Sequence, residues 1–183
     1  MREEQGGRIY SLPKPDGVDG DKRAEASCCM GAALRYLRHR PRSEAELRNQ
    51  LDQRGFDCQH VEQVLSQLRE KGLTNDPTFA RLWVESRESS GPRSRAMLQR
   101  ELREKGIDVQ TISEAIESVD EESGAYRLAQ KKAKAIAILD YASFRNKLFG
   151  VLRRRGFSYE ICERTVNQIW QEQGKGELHA QES

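Results

Sequence analysis

The chain has 183 residues, of which 33% are charged and 7% aromatic, with a formal net charge of only +2. No apolar run approaches the ~20 residues that a membrane-crossing helix needs. The N-terminus, with Arg2, Glu3, Glu4 and Gly6-Gly7, lacks the apolar stretch of a secretory signal, so a soluble, cytoplasmic protein built of exposed amphipathic helices is expected.

In chain order, residues 1 to about 25 are rich in Gly, Asp, Lys and Pro and read as a flexible tail. A first helix runs from Ala32 to Arg38, with Ala33, Leu34 and Leu37 on one face, before Pro41 breaks it. Ser43-x-x-Glu46 has the form of a capping box that starts a second helix. There Leu47 and Leu51, four apart, share one face. Gly55 sits where that helix ends in a left-handed residue, Phe56 follows, and Asp57 is a good N-cap for a third helix. Val61, Val64, Leu65 and Leu68 form its apolar stripe, and Val61 can staple back onto Phe56.

The same segment is then written twice more. Leu98-x-x-x-Leu102-x-x-x-Gly106-Ile107-Asp108 and Leu148-x-x-x-Leu152-x-x-x-Gly156-Phe157-Ser158 follow at offsets of 51 and 50 residues, without a gap. Ile112 and Cys162 take the staple position, and the stripes continue with Ala115, Ile116 and Val119, and with Thr165, Val166 and Ile169. A helix also precedes each hairpin. Asp76-Pro77 opens one with a cap and a first-turn proline, Phe79, Leu82 and Trp83 form its apolar face, and Gly91-Pro92 closes it. The other runs from about Ser123, through Tyr126, Ala129, Ala133 and Ile136, to near Asp140.

The spacing therefore predicts an all-α chain of three tandem three-helix repeats, at residues 26–75, 76–120 and 121–172, between an N-terminal tail (1–25) and a C-terminal tail (173–183). Each unit is too small to bury a large core alone, so neighbours are expected to pack together or stay loosely hinged. Such arrays usually act through an extended surface rather than one catalytic pocket.

Catalytic constellations are missing. The sequence has no G-x-S-x-G elbow, P-loop, dinucleotide fingerprint or H-E-x-x-H, and no enzyme activity or cofactor is expected. Cys28-Cys29, Cys58 and Cys162 form no C-x-x-C pair, and His39, His60 and His179 add no metal-ligand spacing, so no metal is expected. Cys162 reads as a small core residue. Asp120, Glu121 and Glu122 lie at a joint between repeats, where a helix start favours carboxylates, and read as a solvated cap.

Charge is segregated by element. Residues 127–155 hold nine basic side chains against Asp140 alone, a net +8, whereas residues 101–122 hold two basic and eight acidic, a net −6. Further basic groups are Arg93, Arg95 and Arg100 after Gly91-Pro92, and Arg35, Arg38, Arg40 and Arg42 around the first helix break. Such clustering suits a surface that meets phosphates or an acidic protein groove. A helix-turn-helix DNA reader fits less well. Its second hairpin helix would present Gln59, Glu62, Gln63 and Gln67, then Gln110, Ser113, Glu114 and Glu117, then Glu160, Glu163 and Arg164, and the carboxylates would repel phosphates.

Asp76-Pro77-Thr78-Phe79-Ala80, Trp83-Val84-Glu85-Ser86-Arg87, Gly91-Pro92 and Leu98-x-x-x-Leu102-x-x-x-Gly106-Ile107 together resemble the RecX family of recombination regulators. Leu34-x-x-Leu37, Ser43-x-x-Glu46-Leu47 and Val64-x-x-x-Leu68-x-x-x-Gly72-Leu73 resemble it too, and the likeness spans about residues 30 to 172. Its most specific part is residues 72–107, and the third copy departs with Cys162 and Thr165 at apolar positions.

The resemblance implies an elongated, curved right-handed-helical array that lies in the groove of the RecA–single-stranded-DNA filament. It implies a negative regulator of RecA in the SOS response, DNA repair and recombination, inhibiting ATP hydrolysis, strand exchange and co-protease activity. The expected partners are the RecA filament and DNA, single-stranded and more weakly double-stranded, bound salt-dependently by a monomer without a membrane. The candidate contacts are Arg93, Arg95 and Arg100 in the middle repeat and Lys131, Lys132, Lys134, Arg153, Arg154 and Arg155 in the last. The alternative is a non-specific nucleic-acid-binding helical repeat protein.

Overall fold

The structure, a computed structural model, describes the backbone of residues 18–136 and 140–180 and the side-chain environments of 24–136 and 140–173. Nine helices and no strands occur among the described residues: α1 (Val18–His39), α2 (Glu44–Asp52), α3 (Cys58–Glu70), α4 (Asp76–Ser90), α5 (Arg95–Glu104), α6 (Val109–Ile116), α7 (Glu121–Ala133), α8 (Tyr141–Arg154) and α9 (Tyr159–Ala180). They form three successive three-helix units, each packed mainly on itself.

The repeated motif builds the same turn three times. Gly55, Gly106 and Gly156 have φ of 82°, 75° and 88°, the left-handed region that a Cβ disfavours. The amide after each glycine (Phe56, Ile107, Phe157) bonds back to the carbonyl of Leu51, Leu102 or Leu152, which satisfies the helix end. Asp57 and Asp108 then cap α3 and α6 by accepting from Gln59 N and Thr111 N, and Ser158 accepts from Ile161 N. The staple residues Val61, Ile112 and Cys162 are buried, and Cys162 donates its thiol to the Phe157 carbonyl.

Three separate apolar clusters result. The first gathers Leu47, Leu51, Val61, Val64, Leu65 and Leu68 with Cys29, Ala32 and Ala33 from α1. The second joins Phe79, Ala80 and Val84 to Leu98, Leu102, Ile107 and Ile112. The third joins Ala125, Leu128 and Ala129 to Phe144, Leu148, Leu152, Phe157 and Val166.

Between the clusters lie two polar joints of the same design. At the first, Ser43 donates its hydroxyl to the Lys105 carbonyl (2.6 Å), and Glu44 N donates to the Asp76 carboxylate (3.0 Å). At the second, Ser94 N donates to the Arg155 carbonyl (3.0 Å), and Arg95 N donates to the Glu121 carboxylate (2.7 Å). In both, the start of one repeat's middle helix meets the glycine turn of the next repeat and an acid from the first turn of that repeat's leading helix. The turns fit closely: a Cβ on Gly106 would collide with Ala45, and one on Gly156 would lie 2.5 Å from Ser94 Oγ.

Several local expectations are corrected. Asn75, not Asp76, caps α4 by accepting from Thr78 N, which leaves the Asp76 carboxylate for the joint. Ser43 does accept from Glu46 N, but the Glu46 carboxylate turns to Arg40 and Lys105 instead of closing a capping box. Leu34 and Leu82 are 43% and 45% exposed, because Ala33 and Ala80 take the inward positions beside them. Gly72, at φ 65°, is a fourth left-handed helix terminator, after α3. Helix α1 begins at Val18 and α9 continues to Ala180, inside the stretches expected as tails; residues 1–17, 137–139 and 181–183 lie outside the described residues.

Candidate functional site

Trp83 and Arg87, four apart on α4, share a face, and the Arg87 guanidinium stacks over the indole at 4.3 Å from its centroid. Opposite them on α5, Leu98, Glu101 and Leu102 are all buried, so a carboxylate stands on the apolar stripe. Glu101 accepts from Trp83 Nε1 (2.8 Å) and Arg87 Nε (2.9 Å), and Arg93 Nη1 lies against its other oxygen. A buried carboxylate needs such partners, because unpaired it would lose its hydration without compensation.

This network reaches both joints. Lys105 Nζ sits 5.1 Å from the Trp83 centroid and donates to Glu46 in the first repeat (2.7 Å), where Arg40 also pairs with Glu46 (2.9 Å). Burial raises the Glu46 pKa, but hydrogen bonds from Arg40 and Lys105 outweigh it and bring the carboxyl down to about 2. On the other side Arg155, from the third repeat, lies against Gly91, where a Cβ would stand 3.2 Å from its Nη1. Burial, with the neighbouring guanidiniums of Arg87 and Arg155, pulls Arg93 below the ordinary arginine pKa.

The candidate contact residues divide into two kinds. Arg93 precedes α5 and is tied to Glu101, and Arg95 directs Nε and Nη2 to the Val119 carbonyl, with Nη2 also reaching the Glu117 carbonyl, so it closes the end of α6. Arg100 forms an exposed i,i+4 pair with Glu104, and Arg153 donates to the Phe157 carbonyl. Lys131, Lys132, Lys134 and Arg154 are exposed and Arg155 half-buried, and none forms an ion pair among the described residues. Thus Lys131, Lys132, Lys134 and Arg154 face outward, whereas Arg93 and Arg95 are largely used inside the middle repeat.

Two open depressions lie on the middle repeat. One, of about 410 Å³, is lined by Trp83, Arg87, Arg93, Arg100, Glu101 and Lys105, among others. The other, of about 270 Å³, lies between the end of α4 and α7, with Arg127 and Lys131 on its wall. Among the described residues no three His, Cys, Asp or Glu side chains are placed to hold a metal ion, and no helix is long and apolar enough to cross a membrane. All four cysteines are free thiols.

Residues 29–68, 75–116 and 120–166 match, in order, the RecX first, second and third three-helix domains. The chain belongs to the RecX family. It is 36% identical over 182 residues to "Regulatory protein RecX" of Streptomyces lividans, covering 96% of this chain and 94% of that protein. It is 35% identical over 138 residues to that of Amycolatopsis mediterranei (strain U-32), covering 74% of this chain and 79% of that protein. In three dimensions it resembles the crystal structure of RecX from Lactobacillus salivarius, with a TM-score of 0.67 and 23% identity over 80% of this chain and 97% of that one. That last likeness concerns the fold alone. The family's three tandem three-helix domains thus account for the all-α repeats of the fold.

The Trp83–Arg87–Glu101 network and the Glu46–Lys105 bridge were not foreseen as functional elements. One signal for the first was present: Glu101 falls three residues after Leu98 and next to Leu102, on a helix face that should be apolar. The second joins residues 59 apart in different repeats, which no local spacing reveals.

Proposed function

We propose that this RecX-family chain is a non-catalytic negative regulator of the RecA recombinase. It lies in the groove of the RecA–single-stranded-DNA filament and inhibits ATP hydrolysis, strand exchange and co-protease activity in the cytoplasm. The observation that carries this reading is the match of all three three-helix domains, in order, to a family of regulatory proteins. Three repeats joined end to end suit a partner that is itself a repeating polymer. The outward-facing Lys131, Lys132, Lys134, Arg153 and Arg154, with Arg100 and the half-buried Arg155, supply the contacts to filament and DNA, while Arg93 and Arg95 shape the middle repeat that carries Arg100.

The test is single-stranded-DNA-dependent ATP hydrolysis by RecA, titrated with this protein. A dose-dependent fall in hydrolysis is expected. The net +8 of residues 127–155 also favours a second reading, a helical repeat protein that binds nucleic acid without specificity. Unchanged hydrolysis together with salt-steep binding to bare DNA would select that reading.

A further inference from the structure

We infer that the joint between the second and third repeats is a phosphate-binding site, in which Arg87 and Arg93 from one repeat and Arg155 from the next close on the backbone of a nucleic-acid strand. The inference rests on the reading above only in taking nucleic acid as a partner.

Two guanidiniums meet there on one carboxylate, with a third, that of Arg155, beside them at Gly91. Arg87 and Arg93 both use Glu101, and Arg155 has no ion pair among the described residues. The cluster thus holds two positive charges more than its own anion can balance. Among the described residues Arg93 Nε is buried without a hydrogen-bond partner, and no hydrogen bond engages the Arg87 Nη atoms. Like charges crowded in a partly dry site repel, so an anion entering it relieves repulsion as well as adding charge-assisted hydrogen bonds. Guanidinium groups suit this role because their planar forks match phosphate oxygens two at a time.

A strand is favoured over a free phosphate compound because cations extend beyond the cluster on an open surface. Arg87 and Arg93 line one open depression, and Gly91, against which Arg155 lies, lines a second that bears Arg127 and Lys131. A carboxylate from an acidic protein is disfavoured because Glu101 already occupies that role and still leaves the excess charge. Since the arginines come from both repeats, an occupied site also ties the third repeat to the second.

The test is fluorescence anisotropy with a labelled dT12 strand at fixed ionic strength, competed by pyrophosphate or by oligoglutamate of equal charge. Arg155→Gln should weaken strand binding about tenfold or more, as loss of a charged hydrogen-bonding group implies. Arg87→Lys, which keeps the charge but loses the fork, should weaken it as well. Arg81→Gln, an exposed charge elsewhere on α4, should bind within about twofold of wild type. The strand should raise the melting temperature of the wild type but not of Arg155→Gln, and circular dichroism of the free variants checks that they fold. Wild-type affinity in both folded variants would overturn the site. Competition by oligoglutamate equal to that by unlabelled strand would overturn the phosphate assignment, and stronger competition by pyrophosphate would overturn the strand. No recombinase is present, so failure here leaves inhibition of RecA standing, and failure of inhibition leaves strand binding measurable.

Discussion

Ser43 donates its hydroxyl to the carbonyl of Lys105 at 2.6 Å, across 62 residues of sequence, while the same oxygen accepts from Glu46 N within its own helix. One side chain thus caps a helix and fastens the next repeat to it. Replacing Ser43 with Ala should cost about 1–2 kcal/mol, at the upper end of N-cap losses. Ser158→Ala, which loses a cap but no joint bond, should cost less. Equal losses in urea unfolding of the two variants would show that the cross-repeat bond contributes nothing.

Two glycines with the same backbone conformation should respond differently. Gly55 has nothing within 4 Å of a hypothetical Cβ, whereas Gly106 faces Ala45 across the joint. Gly55→Ala should cost about 1–2 kcal/mol for left-handed backbone alone. Gly106→Ala should cost distinctly more and Gly106→Val more again, with unfolding centred on the middle repeat. Matching melting temperatures for Gly55→Ala and Gly106→Ala would argue against a close-packed joint.

The Glu46 bridge gives the first joint a pH dependence. Its folded pKa, about 2, lies below the ordinary 4.5, so its stabilisation is present above pH 4.5 and is lost as pH falls toward about 2. Asp76 works in the opposite sense: burial, and then the nearby Glu44 and Asp108 charges, raise its pKa, so it opposes stability once ionised. Acid should therefore weaken the wild type within that window, and Glu46→Gln should flatten the decline. Parallel urea midpoints for the two proteins between about pH 5 and pH 2.5 would contradict the assignment.

Charge reversal of Lys131, Lys132 and Lys134 should weaken association with the recombinase filament and leave helicity unchanged, because all three are exposed and none forms an ion pair among the described residues. Undiminished inhibition at the wild-type dose would show that this end of α7 faces bulk solvent.

Affinity across a salt series should separate groove binding from simple attraction to DNA. Bare-strand binding depends on counterion release and should fall steeply with salt. Filament binding, with apolar and hydrogen-bonded protein contacts, should be tighter and fall less. Equal affinities with equal salt slopes would favour the non-specific binder.

What the sequence determined by itself is the repeat. Leucines four apart, a glycine, one apolar residue and a capping Asp or Ser act within a dozen residues, so helix, turn and next helix were legible from spacing, as were the inward residues Val61, Ile112 and Cys162. The family, too, was legible in local motifs such as Trp83-Val84-Glu85-Ser86-Arg87. Only the tertiary structure decided how the repeats meet and which cations are spent internally. Asp76 and Glu121 look like ordinary helix-start acids until the Glu44 and Arg95 amides are found on them. Arg95 looks like Arg100 until its guanidinium is found on the Val119 carbonyl, and Arg155 looks like Arg154 until it is found against Gly91. The physical reason is range. Helices and their caps are set by neighbours three or four positions away, whereas the long-range hydrogen bonds join groups 24 to 62 residues apart that only the assembled fold brings together.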